Sequence, residues 1–130
     1  MGTNTIHDRE KASQLVLYKG LRKIDGCSPT DIDGIMAIRK RGKVFIIESK
    51  FKGAELKRGQ RMIIEDLVNA FWMGMHWVAL GVHAAHDTEG DDVDISASMV
   101  VRLYFEGRWQ SPWDGFETVG ELYDYFWDNL

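Results

Sequence analysis

The hydrophobic positions change their period several times along the chain, and each change marks an element. From residue 5 to 21, Ala12, Leu15 and Val16 recur at helical spacing. Thr5 or Asp8 caps that helix, and Gly20 or Gly26 ends it. Two apolar runs follow, Ile32, Ile35, Met36 and Ile38 over residues 32–39, then Val44, Phe45, Ile46 and Ile47 over residues 43–50. Short runs that are apolar on both faces predict strands covered above and below. Residues 24–28 are too short and mixed to assign. Helical spacing returns over residues 56–73 through Ile63, Leu67, Ala70 and Phe71, with Gly74 as the stop. Residues 76–85 then read as a buried strand, and a strand reached through a helical crossover runs parallel to its neighbour. Past the acidic loop 87–94, Met99, Val101, Leu103 and Phe105 alternate with Val100, Arg102 and Tyr104 in a strand over residues 96–109, broken by Ser111-Pro112. Val119, Leu122, Tyr123, Phe126, Trp127 and Leu130 make the apolar stripe of a last helix over residues 117–130. That aromatic stripe is either core packing or a docking surface for a homodimer or protein partner. The order α-β-β-α-β-β-α predicts an α/β (α+β) protein with a central mixed sheet flanked by helices.

Composition adds bounds. A chain of 130 residues, 45% hydrophobic and 28% charged, predicts one globular domain over residues 1–130. Cys27 is the single cysteine, which excludes an intrachain disulfide and fits a reducing compartment. No run approaches the roughly eighteen apolar residues of a membrane span, and no signal-peptide pattern opens the chain. Met1-Gly2 is not followed by the Ser or Thr of a myristoylation signal, since Ile6 stands there. The expectation is a soluble, cytoplasmic protein without membrane contact.

The net charge of −4 argues against a nucleic-acid partner until it is divided along the chain. Residues 39–61 carry Arg39, Lys40, Arg41, Lys43, Lys50, Lys52, Lys57, Arg58 and Arg61 against only Glu48 and Glu55. Residues 83–130 carry the opposite excess. The division fits a phosphate-binding side and a solvated side, or more plainly a charged hairpin tip and an exposed helix start.

The chemistry centres on residues 29–50. If Arg41-Gly42 is a two-residue hairpin loop, Ile35 faces Glu48 and Asp33 faces Lys50. Glu48 and Lys50 then share that face, which gathers two carboxylates and an ammonium at one end of the sheet. A three-residue loop would turn Asp33 away. Carboxylates at the edge of a core are costly unless partnered, and a bound cation relieves that cost. Asp33, Glu48 and the backbone carbonyl of Ser49 offer hard oxygen ligands suited to Mg²⁺ or Mn²⁺. Such an ion lowers the pKa of a water and neutralises phosphate charge, and Lys50 would orient the attacking water. The plainer alternative makes Asp33 and Glu48 strand-end charges pairing with Lys50 and Arg39. His83-x-x-His86-Asp87 lacks the helical spacing and cysteine companions of a zinc site.

Asp33, Glu48-Ser49-Lys50 and Gln60 at the start of the next helix together resemble the PD-(D/E)XK nuclease superfamily, over residues 10–71. The resemblance implies an αβββαβ restriction-endonuclease-like core, here with an added strand and C-terminal helix. It implies catalytic roles for Asp33, Glu48 and Lys50, with Gln60 and the first-helix Glu10 in support, and Asp31 where some members carry a second acid. The family's first strand corresponds at best to residues 24–28. On this basis the expected function is Mg²⁺- or Mn²⁺-dependent hydrolysis of DNA, with RNA a weaker candidate, the basic block gripping the backbone. The alternatives are an inactive nuclease-fold module that binds nucleic acid or a protein, and a subunit of a larger recombination or restriction complex.

Overall fold

Two strands buried on both faces hold the molecule together: β2 (Lys43–Phe51) and β3 (Val78–His86), paired parallel. They belong to a five-stranded sheet of order β1-β2-β3-β4-β5, with β1 (Gly34–Ile38), β4 (Met99–Phe105) and β5 (Arg108–Gln110). All other neighbours are antiparallel, so the sheet is mixed. Helix α1 (Arg58–Ala70) makes the crossover from β2 to β3, and α2 (Val119–Asn129) closes the chain. The computed structural model describes residues 20, 22–25, 31–90 and 92–130. The expected first helix, with Glu10, and most of the short 24–28 piece lie outside the described residues. Among the described residues no helix is long and apolar enough to cross a membrane.

Side-chain alternation along β2 divides the core in two. Val44 and Ile46 point to one face, where Ile64 and Val68 of α1 meet them together with Ala79 and Tyr104. Phe45 and Ile47 point to the other, against Leu80, Val82 and Leu103 and the α2 residues Val119, Leu122, Phe126 and Trp127. One helix therefore covers each face. The aromatic stripe of α2 is core: Phe126 is fully buried and Trp127 is 7% exposed. Thr118 opens α2 with a capping box, its hydroxyl accepting the Glu121 N–H while the Glu121 carboxylate accepts the N–H of Thr118.

Several expectations change. The hairpin turn spans four residues, 39–42, closed by the N–H groups of Arg41 and Gly42 donating to the Ile38 carbonyl at 3.0 and 2.9 Å. Gly42 supplies the left-handed residue such a turn needs, at φ 64°. Ile38 thus pairs with Lys43 and Ile35 with Ile46, a slip of two residues from the two-residue loop. An even slip keeps every side chain on its face. Asp33 accordingly lies one step beyond the Gly34–Ile47 pair, against Glu48 rather than Lys50. Strand β1 is not covered on both sides as its apolar run implied, since Ile35 is 55% exposed and Met36 41%. The strand expected over residues 96–109 breaks at Glu106-Gly107, both at positive φ, into the β4–β5 hairpin. Residues Ile95–Ala97 form a 3₁₀ turn instead of strand.

The basic block is not one patch. Arg41 Nη1 donates to the Trp127 carbonyl at 2.9 Å, and Lys43 Nζ donates to the Phe126 and Trp127 carbonyls at 3.0 Å each. Both cations satisfy the last carbonyls of α2 and oppose the negative end of its dipole. Lys43 opens β2 and Arg41 stands in the turn before it, five and seven residues from Glu48 and so about 17 Å or more away at the strand rise of ~3.3 Å per residue.

Gly81 sets how closely α1 approaches the sheet. A Cβ there would lie 2.5 Å from Cγ2 of Ile64, a fully buried residue. Gly81→Ala is expected to lower stability by about 1–3 kcal/mol through overpacking, read as a lower urea midpoint at unchanged slope. An unchanged midpoint would show that α1 shifts outward at no cost.

Candidate active site

Asp33 and Glu48 are locked together just before β1 begins. The Asp33 N–H donates to Glu48 Oε1 at 2.8 Å, and the Ser49 N–H donates to Asp33 Oδ2 at 2.8 Å. Each carboxylate therefore takes a backbone donor from the other's strand, where the ladder no longer supplies a partner. Charge-assisted bonds of this kind are the stronger class. Ser49 itself turns to the opposite face, and its hydroxyl donates to Ser98 at 3.0 Å.

Gln60 and Lys50 complete the surroundings of Glu48. Gln60 is 5% exposed at the start of α1, and its Nε2 donates to Glu48 Oε2 at 3.1 Å and to the Asp31 carbonyl at 3.3 Å. Its Oε1 accepts the Lys57 N–H at 3.3 Å. The amide thus ties the α1 N-terminus to the end of β2 and to the segment entering β1. Lys50 Nζ lies 3.4 Å from Glu48 Oε2, the two residues sharing one face of the strand.

Glu48 is 5% exposed. Burial raises its pKa above the usual glutamate value, and the nearby Asp33 charge adds to this, while the Asp33 N–H and Lys50 pull it back.

The structure brings Asp33, Glu48, Lys50 and Gln60 into one cluster. Asp31 joins it through its backbone carbonyl, while Glu10 lies outside the described residues. Of the basic residues, Lys52 follows the site strand and stacks over Phe51, with Nζ 5.3 Å from the ring centroid. Lys57, Arg58 and Arg61 start α1, whereas Arg39 and Lys40 share the distant turn with Arg41. Among the described residues no group of three or more His, Cys, Asp or Glu is placed to hold a metal. The donor set is two carboxylates with neighbouring backbone oxygen.

His83 is a component that spacing did not identify. It stands opposite Glu48 in the parallel β2–β3 register, on the same face, and is 5% exposed. Its Nε2 lies 2.9 Å from the Ala54 carbonyl, where the neutral ring donates. Burial lowers its pKa and favours that neutral form. The bond fixes residues 52–57, the link between Lys50 and Gln60. His86 falls three residues on and hence on the other face, so the two histidines do not converge.

Compared with known proteins, the chain matches no family model, no curated protein and no solved structure.

Because the folded state raises the pKa of Glu48, its contribution to stability is fully present below the unfolded value near 4.5 and is lost as pH rises through the elevated folded pKa. Metal-free wild type should therefore lose stability relative to Glu48→Gln as pH rises from 4.5 toward neutrality. Paired denaturation curves across that range check this; a pH-independent difference would mean that burial does not disfavour the charged form.

Proposed function

We propose that the protein is a metal-dependent nuclease of the PD-(D/E)XK type that hydrolyses phosphodiester bonds of DNA. The observation that carries this reading is the buried Glu48 carboxylate, interlocked with Asp33 and flanked by Lys50 and Gln60 on one sheet face. The strand order supports it: an antiparallel hairpin bears the acids, a helix opens with the glutamine, and a parallel strand follows. On this reading β1, β2, β3 and α1 belong to the restriction-endonuclease-like core, with β4, β5 and α2 added.

Asp33, Glu48 and the Ser49 carbonyl would hold a Mg²⁺ or Mn²⁺ ion, which keeps several waters and needs only one or two carboxylates. The ion supplies charge neutralisation on the phosphate and a water of lowered pKa. Lys50 lies beside Glu48 and would orient the attacking water and offset charge developing on the phosphate oxygens. Gln60 holds the Glu48 carboxylate in place and is a positioning residue. Water adds to phosphorus, the bond to one sugar oxygen breaks, and that oxygen takes up a proton. One new end is a phosphate monoester and the other a hydroxyl. Lys57, Arg58 and Arg61, at the start of α1, flank the carboxylates and would grip backbone phosphates without reading sequence, whereas Lys52 turns with Phe51 to the opposite face.

A second reading has its own support, because the cluster is internally satisfied: Glu48 has partners without any ion. On that reading the protein is a module that binds nucleic acid or a protein partner and does not cut.

Incubating supercoiled, linear, single-stranded and branched DNA with the protein in Mg²⁺ or Mn²⁺ separates the two. Cleavage should vanish in EDTA and fall by at least about 10²-fold in Glu48→Ala and Lys50→Ala. Gln60→Ala should lose less, and mainly through weaker metal affinity, by roughly 10-fold or more. Undiminished cleavage by Glu48→Ala would remove this site from the reaction, and failure to cut any form would favour the second reading.

A further inference from the structure

The sheet face that carries Glu48 continues across two more strands. His83 on β3 is its registered neighbour, and Arg102 on β4 is the registered neighbour of His83. At about 4.8 Å per strand, Arg102 lies roughly 10 Å from Glu48. A bulge between His83 and Ala84 shifts the β3–β4 register just there, a device that re-aims side chains beside sites.

A cavity of about 200 Å³ opens at this point, with Arg61, His83, Arg102 and Trp109 in its lining. Arg102 is exposed, and its side chain makes no hydrogen bond or ion pair among the described residues. Among the described residues the Arg61 side chain pairs only with Glu65, through Nε at 3.8 Å and largely in solvent, a weak interaction. Glu65 also accepts the Trp109 indole N–H at 2.7 Å, so one carboxylate braces the two walls. The wall formed by residues 53–56 is held by the His83 bond to the Ala54 carbonyl. Against the two arginines the lining carries one carboxylate, the exposed Glu55. At ~30 Å³ per water the space holds about six or seven waters. That is below the usual ~300–1,000 Å³ of a pocket for a drug-sized ligand, and it suits a small anion with its hydration.

We propose that this cavity seats a backbone phosphate of the nucleic-acid strand, adjacent to the phosphate that is cut, held by Arg102 and Arg61. The proposal rests on the nuclease reading and extends it. Two guanidiniums on different elements, α1 and β4, would fix the register of the strand relative to Glu48. His83 acts only through Ala54 and is a positioning residue for the cavity wall.

The test is binding of a labelled DNA duplex and the matching single strand in EDTA, over a range of salt, by wild type, Arg102→Ala, Arg102→Lys and Arg108→Ala. Arg108 is exposed on β5 and outside the cavity lining, so its variant makes the same charge change elsewhere. Arg102→Ala should weaken binding about fivefold or more and reduce the slope of log K against log salt by about 1. Arg102→Lys should keep the slope, because the charge remains, and Arg108→Ala should bind as wild type. An unchanged slope in Arg102→Ala, or an equal loss in Arg108→Ala, would overturn the seat; if wild type still cuts in Mg²⁺ while Glu48→Ala does not, the nuclease reading survives that result. Binding that depends on Arg102 without any cutting would overturn the placement beside a cut phosphate. A wild type that neither binds nor cuts either DNA would overturn both.

Discussion

A carboxylate buried at the end of a central strand is the constraint around which this molecule is arranged. An unpaired buried charge costs several kcal/mol, so Glu48 must be partnered wherever the fold places it. Its partners come from three directions: the Asp33 backbone from β1, the Gln60 amide from α1 and the Lys50 ammonium from its own strand. Each partner fixes something larger. The Asp33 bond fixes the hairpin register, and the Gln60 bond fixes where α1 begins. His83, next along the sheet, fixes the segment between Lys50 and Gln60 through Ala54. A cluster satisfied this fully is rigid, and rigidity is what a preorganised site requires.

The two faces of the sheet divide the work. The face under α2 is almost wholly apolar, with Phe45, Ile47, Leu80, Val82 and Leu103 against Leu122 and Phe126. The face under α1 is apolar only over its first half, through Val44, Ile46 and Ala79. Beyond Gly81, where Ile64 comes closest to the sheet, it turns polar with Glu48, His83 and Arg102. The transition needs no loop insertion or added domain, since the same strands simply run past the end of the helix contact.

Much of this was legible in the chain. The apolar runs located β2 and β3, the helical crossover implied their parallel pairing, and the stripe from Val119 to Trp127 located α2. Asp33, Glu48 and Lys50 could be gathered on one face because that depended only on an even loop length. The exact register was not legible. Arg39, Lys40 and Arg41 give no preference between a two- and a four-residue turn, and the slip changed the partner of Glu48 from Ile35 to Asp33. Glu106-Gly107 was hidden inside an alternation that continues on both sides of the turn. The basic residues looked like one patch because they are neighbours in sequence. A strand of nine residues separates its ends, and Arg41 and Lys43 serve the α2 carbonyls at the far one. The sequence singled out His83 only within the weak His83-x-x-His86-Asp87 spacing, because its role depends on the β2–β3 pairing and on a backbone carbonyl twenty-nine residues away.

Binding of Mn²⁺ to the protein without DNA, followed by calorimetry with wild type, Asp33→Asn and Glu48→Gln, tests the central claim most directly. Wild type should show one class of site. Its affinity should rise with pH as Glu48 gives up its proton, and the site should be lost in both variants. Binding unaffected by either substitution, or none at all in wild type, would contradict it and leave the Asp33–Glu48 interlock as a purely structural clasp.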